Sequence, residues 1–304
     1  MVPEIPVISL GVGEMSSGLD ERTKELVMKR VISRVKDIPS LPDAVLKALK
    51  MLNDPKSNAA DVAEILSRDE GLTVRILKLA NSAYYGLPRQ VTNLSEAVAI
   101  LGFKTVKSIV LAASVYTYVN KGFDGYALQR GDLWRHSLAV ALVSKMVAER
   151  KKSCDPEEAF IAGVLHDIGK IVLSEYVRFG FSLIMKMAEE EQVPFMEAER
   201  RVLGFDHAEI GGKIIEQWNL PPVYAAVARF HHEPDLAPQE HSKVVDTVHV
   251  SNLCVLMLGV GIGSDGLLYP LSERALSNVG IESMELLMSD AVDLLVKEDL
   301  MSLS

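Results

Sequence analysis

Leu41, Ala44, Val45, Ala48, Leu49 and Leu52 recur at intervals of three and four residues, and this spacing constrains the fold more than any other feature. On a helix of 3.6 residues per turn these positions form one apolar stripe; on a strand they would fall on both faces. Met284, Leu287, Met288, Ala291, Leu294 and Leu295 repeat the pattern near the other end. Between them, Pro and Gly collect at joints: Pro55, Gly71, Gly86-Leu87-Pro88, Gly102, Pro156, Pro194 and Pro221-Pro222. No stretch alternates apolar and polar residues for long enough to specify a sheet. The expectation is an all-α fold of roughly a dozen or more short helices. Ser40 is expected to cap the helix that Pro42 opens.

Residues 1–20 read as a loosely held arm. Gly, Asn and Asp concentrate in NKGFDGYALQRG at 120–131, which marks the best boundary between two packed helical lobes, 21–125 and 126–304. Hydrophobic residues make up 48% of the 304 and charged residues 24%, a globular composition. The formal net charge of −9 argues against a general grip on nucleic acid or on anionic lipid, since both need a basic face. The most apolar stretches, Ser108–Val119 and Val250–Ile262, are shorter than a bilayer span and suit buried helices. Glu4 and the lack of a basic segment before the short apolar run Ile5–Val12 argue against a secretory signal. Cys154 and Cys254 belong to no CxxC pair and read as small buried residues in a reducing compartment. A cytoplasmic protein is expected.

All seven histidines fall between 136 and 249. The strongest local signal is Leu165-His166-Asp167-Ile168-Gly169-Lys170, which follows an apolar helix and carries a glycine where that helix must stop or turn. Adjacent imidazole and carboxylate groups can share one divalent cation, and the carboxylate can bridge to a second. His136 lies four residues after Asp132 on one helical face, and His207 follows Asp206 at a helix start. His231-His232 closes the apolar run from Val223 to Phe230, and Asn252 lies in a last apolar helix with His249. Each piece alone has a plainer explanation. Asp206 reads as an N-cap, His231-His232 as a complement to a helix dipole, and His241 and His249 as core or surface residues. The order and spacing of the whole set favour a metal centre.

That order resembles the HD superfamily of metal-dependent phosphohydrolases, and within it the cyclic dinucleotide phosphodiesterase branch. The resemblance implies metal ligands His136, His166, Asp167, His207, His231 and His232 for one or two divalent ions (Fe, Mn or Zn). It implies that Asp167 bridges two ions and that Lys170 holds substrate phosphate, these two being the catalytic residues if the protein is an enzyme. Two departures stand out. Asn252 occupies the position of a ligating aspartate, with Asp246 and His249 as alternatives for that role. The sequence after His231-His232-Glu233 is Pro234-Asp235-Leu236 where that branch has Gly-Tyr-Pro.

The first half resembles the HDOD (HD-related output) domain. The resemblance rests on Ile38-Pro39-Ser40-Leu41-Pro42, on Asp69-Glu70-Gly71-Leu72, on Ile76-Leu77-Lys78-Leu79-Ala80-Asn81-Ser82-Ala83 and on Ala97-Val98-Ala99-Ile100-Leu101-Gly102. It covers roughly residues 30–260 and implies a bacterial signal-transduction output module that acts through a protein partner. The alternative is a phosphohydrolase acting on a nucleotide or cyclic nucleotide, with a nucleotide or phosphate as its ligand. Asn81 and Ser82 read as a helix C-terminus bonded to local carbonyls, and Lys104 and Lys107 as solvated.

Overall fold

The computed structural model describes residues 21–54, 56–264 and 269–301; the arm assigned to 1–20 lies outside them. Among the described residues the chain forms fourteen α-helices and no strand. Five make the first part: α1 (Glu21–Asp37), α2 (Asp43–Leu52), α3 (Ala59–Leu66), α4 (Glu70–Ala80) and α5 (Leu94–Val119). Seven make the histidine-bearing part: α6 (Asp132–Lys151), α7 (Pro156–Leu165), α8 (Lys170–Glu191), α9 (Phe195–Leu203), α10 (His207–Gln217), α11 (Pro222–Phe230) and α12 (Ser242–Met257). Two close the chain, α13 (Glu273–Val279) and α14 (Met284–Lys297).

Short polar side chains start many of these helices. Asn58, Asp69, Asn93, Asp155, Asp206, Ser272 and Ser283 each accept a hydrogen bond from a first-turn N–H that has no partner within the helix. Ser40 does not do so for α2. Pro42 itself takes the N-cap position, and no side chain caps that helix. Gly71 is no joint either, since it lies in the first turn of α4. Gly102 is one: its φ of 80° breaks α5 into two helical pieces. By length and composition α5 resembles a membrane span, but Val106 and Ile109–Ala113 are buried in the protein core.

Asn81 ends α4 and clamps the chain that follows. Its amide donates to the Leu77 and Val91 carbonyls, both at 2.9 Å, and accepts from the Val91 N–H at 2.7 Å. The Leu-Ala-Asn-Ser-Ala run therefore fixes a loop. Lys104 and Lys107 lie at the surface and reach Asp155 and Asn53.

Helices α2, α3 and α4 pack on α5, and α5 packs in turn on α7. One continuous core runs from Val31 to Leu295. The segment at 120–131 is more than a joint: Phe123, Tyr126 and Leu128 are buried, and an isolated bridge pairs Phe123 with Leu128. Helix α1 lies against α8 and α10, across the sequence boundary between the two lobes.

A buried ion pair stands where the two halves meet. Lys145 Nζ on α6 lies 2.7 Å from Glu157 Oε1 on α7, and Thr105 of α5 donates to the same oxygen at 2.9 Å. The Tyr84 and Tyr85 rings lie 5.0 and 4.7 Å from that ammonium, within cation–π range. Removing one partner leaves the other charge buried and unpaired. Lys145→Met is therefore expected to cost about 3–5 kcal/mol in urea unfolding, with Lys145→Met/Glu157→Leu costing clearly less than Glu157→Leu alone. Equal and additive losses would show that the pair contributes nothing as a pair.

Candidate metal centre

Five helices deliver the histidines and their neighbours to one point. His136 sits in the second turn of α6. Helix α7 ends at Leu165, and His166 and Asp167 occupy the tight turn before α8 resumes at Lys170. Gly169 serves this turn by closeness. Its φ of −64° suits any residue, but a Cβ there would meet the His207 carbonyl oxygen at 1.9 Å. The glycine thus lets the turn lie against the start of α10, where Asp206 is the N-cap and His207 the first residue. His231 and His232 follow the last turn of α11, and Asn252 comes from α12.

Asp167 is the hub. Its Oδ1 lies 3.6 Å from both His207 Nε2 and His231 Nε2. Its Oδ2 lies 3.3 Å from His166 Nε2 and 3.8 Å from His136 Nε2. Two groups of donors result, Asp167-His207-His231-His232 and His136-His166-Asp167, each with its ligand atoms within 4.8 Å of one another. Ligands about 2.1 Å from a tetrahedral ion lie roughly 3.4 Å apart, so this spacing suits metal ligation. The Nε2 atoms of His166 and His231 and the Oδ1 of Asp167 are fully buried and make no hydrogen bond among the described residues. Buried polar atoms without partners are costly; an ion in the first group would satisfy His231 Nε2 and Asp167 Oδ1, and one in the second would satisfy His166 Nε2.

The far side of each ring explains why these lone pairs point inward. A carbonyl can only accept, so Nδ1–H of His136 donates to Val260 (3.0 Å), that of His166 to Gly163 (2.7 Å) and that of His231 to Ala228 (2.9 Å). His207 Nδ1 donates to Glu199 at 2.7 Å. Each bond fixes the tautomer that leaves Nε2 as a ligand. Burial, with the neighbouring imidazoles, pulls His136 and His231 down from 6.5 to about 4 and lowers His232 as well. Burial also opposes protonation of His207, but the Glu199 carboxylate outweighs it and raises that ring. Burial works against an ionised Asp167; the Lys170 ammonium, 2.6 Å from Oδ2, nevertheless holds it well below the usual carboxylate range.

Asn252 is buried at the centre, its Oδ1 3.0 Å from His136 Nε2. The two alternatives for its role are engaged elsewhere. Asp246 is gripped by both terminal nitrogens of Arg274 and by Asn278. His249 donates to the His231 carbonyl and accepts from the Ser272 N–H, so it positions the ligand-bearing turn. His241 lies in a short turn beside Glu240, away from the centre.

Three contributors escaped sequence reasoning. Glu199 is fully buried and accepts both His207 Nδ1 and the Tyr126 hydroxyl, the latter at 2.5 Å. Its one signal was a carboxylate on the apolar face that Phe195, Ala198 and Val202 define. The Val260 carbonyl belongs to the loop after α12, where Gly261 has φ of 62° and presses on α6 so closely that a Cβ would meet the Asp132 oxygen at 2.5 Å. Tyr269 stacks flat on His232, with rings 3.6 Å apart and 7° from parallel.

A helical fold whose turns converge on His and Asp donors defines an HD-type protein. Residues 38–234 match the HDOD domain family, and the chain belongs to it. It is similar to an HDOD domain protein of unknown function from Geobacter sulfurreducens, with 28% identity, TM-score 0.69, and coverage of 90% of this chain and 89% of the other. A candidate phosphohydrolase of Shewanella amazonensis SB2B is similar at 27% identity, TM-score 0.69, and coverage of 89% and 96%. An uncharacterized protein of Treponema pallidum (strain Nichols) is 25% identical over 262 residues, 85% of this chain and 50% of that protein. The chain thus spans half of that relative, and 30% of a second, YuxH of Bacillus subtilis (strain 168).

Glu199→Gln keeps the shape of the side chain but removes its charge. It is expected to weaken metal binding about 10–100-fold in competition with a chelating indicator, with helical content unchanged. Acidification should act on the metal-free protein directly. The unfolded chain takes up protons on His136 and His231 near pH 6.5, whereas the folded chain does so only near 4. Stability from these groups is complete above about pH 6.5 and is lost as pH falls toward 4; His207 acts in the opposite sense, as do the Glu158 and Glu298 carboxyls that burial raises. Urea midpoints should decline across that interval, and a flat profile would contradict this account.

Proposed function

We propose that this HDOD protein is a cytoplasmic signal-transduction output module that acts by binding a protein partner, and that its HD-type centre holds Fe, Mn or Zn without turnover. One observation carries this reading. The donors His136, His166, Asp167, His207, His231, His232 and Asn252 are at most 6% exposed, and Tyr269 lies flat on His232. A sealed centre of this kind suits an ion that stabilises or reports a state. A phosphodiester needs an approach to the ion. The sequence Pro234-Asp235-Leu236 after the histidine pair, in place of Gly-Tyr-Pro, points the same way.

The hydrolase reading has one specific support, the Lys170 ammonium beside Asp167, where a nucleotide or other phosphate ligand would meet a positive charge. An ion held by this donor set would supply Lewis acidity toward a phosphoryl oxygen. Asp167 would orient the ion, Lys170 would bind phosphate, and the apolar helices would exclude water.

Elemental analysis of the purified protein and of His166→Ala/Asp167→Ala, alongside a screen of phosphodiesters and phosphomonoesters, separates the two readings. The expected result is near-stoichiometric metal in the native protein, none in the double variant, and no turnover by either. Turnover that Asp167→Ala abolishes would replace the binding module by an enzyme. Absence of metal even after reconstitution would remove the metal centre from both.

A further inference from the structure

The two donor groups are not equally ready for an ion. At the His207-His231-His232 position, His231 Nε2 and Asp167 Oδ1 are both buried without a partner, and an ion would replace only the 3.2 Å hydrogen bond between the Nε2 atoms of His207 and His232. At the His136-His166-Asn252 position only His166 Nε2 is buried without a partner, and protein groups already occupy the other donors. Lys170 Nζ sits 2.6 Å from Asp167 Oδ2, the one anionic oxygen facing that position. His136 Nε2 faces the Asn252 side chain at 3.0 Å. Its Nδ1–H is committed to Val260, so Nε2 is an acceptor. A half-turn of the amide presents NH2 to it and closes the pair without any ion.

Charge separates the positions further. The His136-His166-Asn252 position offers two imidazoles, a neutral amide and a share of one carboxylate whose near oxygen carries an ammonium. A dication placed there meets no net negative charge. The other position combines three imidazoles with the free oxygen of Asp167, and Glu199 lies behind His207 to raise its basicity.

We propose, on the metal-centre reading above, that one divalent ion resides among His207, His231, His232 and Asp167 Oδ1. Lys170 and Asn252 hold the neighbouring position closed to a second. Asn252 is thus the residue that sets the number of ions, and a carboxylate in its place opens the second position. Both changes are readable without any activity.

Mn(II) titration by calorimetry and elemental analysis tests this on the full chain. The native protein and His136→Ala should each bind one ion, and His231→Ala should bind none. Asn252→Asp should bind two, with the exchange-coupled Mn(II) pair visible by electron paramagnetic resonance. Lys170→Met should tighten a second ion about 10–100-fold, which keeps the test open if Asn252→Asp folds poorly. Two ions of equal affinity in the native protein, or an ion lost in His136→Ala and kept in His231→Ala, would overturn the inequality and leave the metal centre standing. One ion in both Asn252→Asp and Lys170→Met would overturn the assigned roles of those residues. No ion in the native protein would overturn the centre itself.

Discussion

The Asp167 carboxylate is the point on which the histidine-bearing half depends. It is ionised although almost wholly enclosed, a condition the protein sustains only by surrounding it with an ammonium and imidazole nitrogens. Helices α6, α7, α10 and α11 each bring a ring to it, and α8 begins with the lysine that neutralises it. The packing of these helices and the chemistry of the centre are therefore one problem. Glu199, Val260 and Gly163 extend it outward by holding the rings from behind.

How much of this was legible in the sequence follows from how local each feature is. The helical class was plain because apolar stripes repeat along single segments, and the histidines were plain because they cluster at helix ends. Gly169 was visible as a turn, but its reason is the approach of α10, which no local pattern records. Glu199 looked like any charged residue of an amphipathic helix until the fold turned it toward His207. The Val260 carbonyl carries no side-chain signature at all, since backbone acceptors are common to every residue. Tyr269 reaches His232 across a long sequence separation, beyond any periodicity.

The residues of the HDOD signature and the candidate metal donors occupy different places. Asn81, in the most specific HDOD run, anchors a loop, and the Tyr84-Tyr85 pair that follows shields the Lys145 ammonium at the junction of the halves. The signature describes how the two parts are joined. The histidines describe what the second part can hold. The two parts meet where α5 packs on α7, the helix that delivers His166, and where α1 packs on α8 and α10.

Helix α1 has a consequence for assembly in time. It precedes its own packing surfaces, α8 and α10, and Gln217 and Trp218 tie down the chain just beyond it through the carbonyls of Ile38 and Pro39. Well over a hundred residues must be synthesised before that docking site exists. Until then Val31 and Val35, buried in the finished protein, have no core to enter. Closing so long a loop is slow relative to forming the α2–α5 group, whose contacts are near in sequence. Helix α1 is thus made before α8 and α10 yet settles only once they are in place.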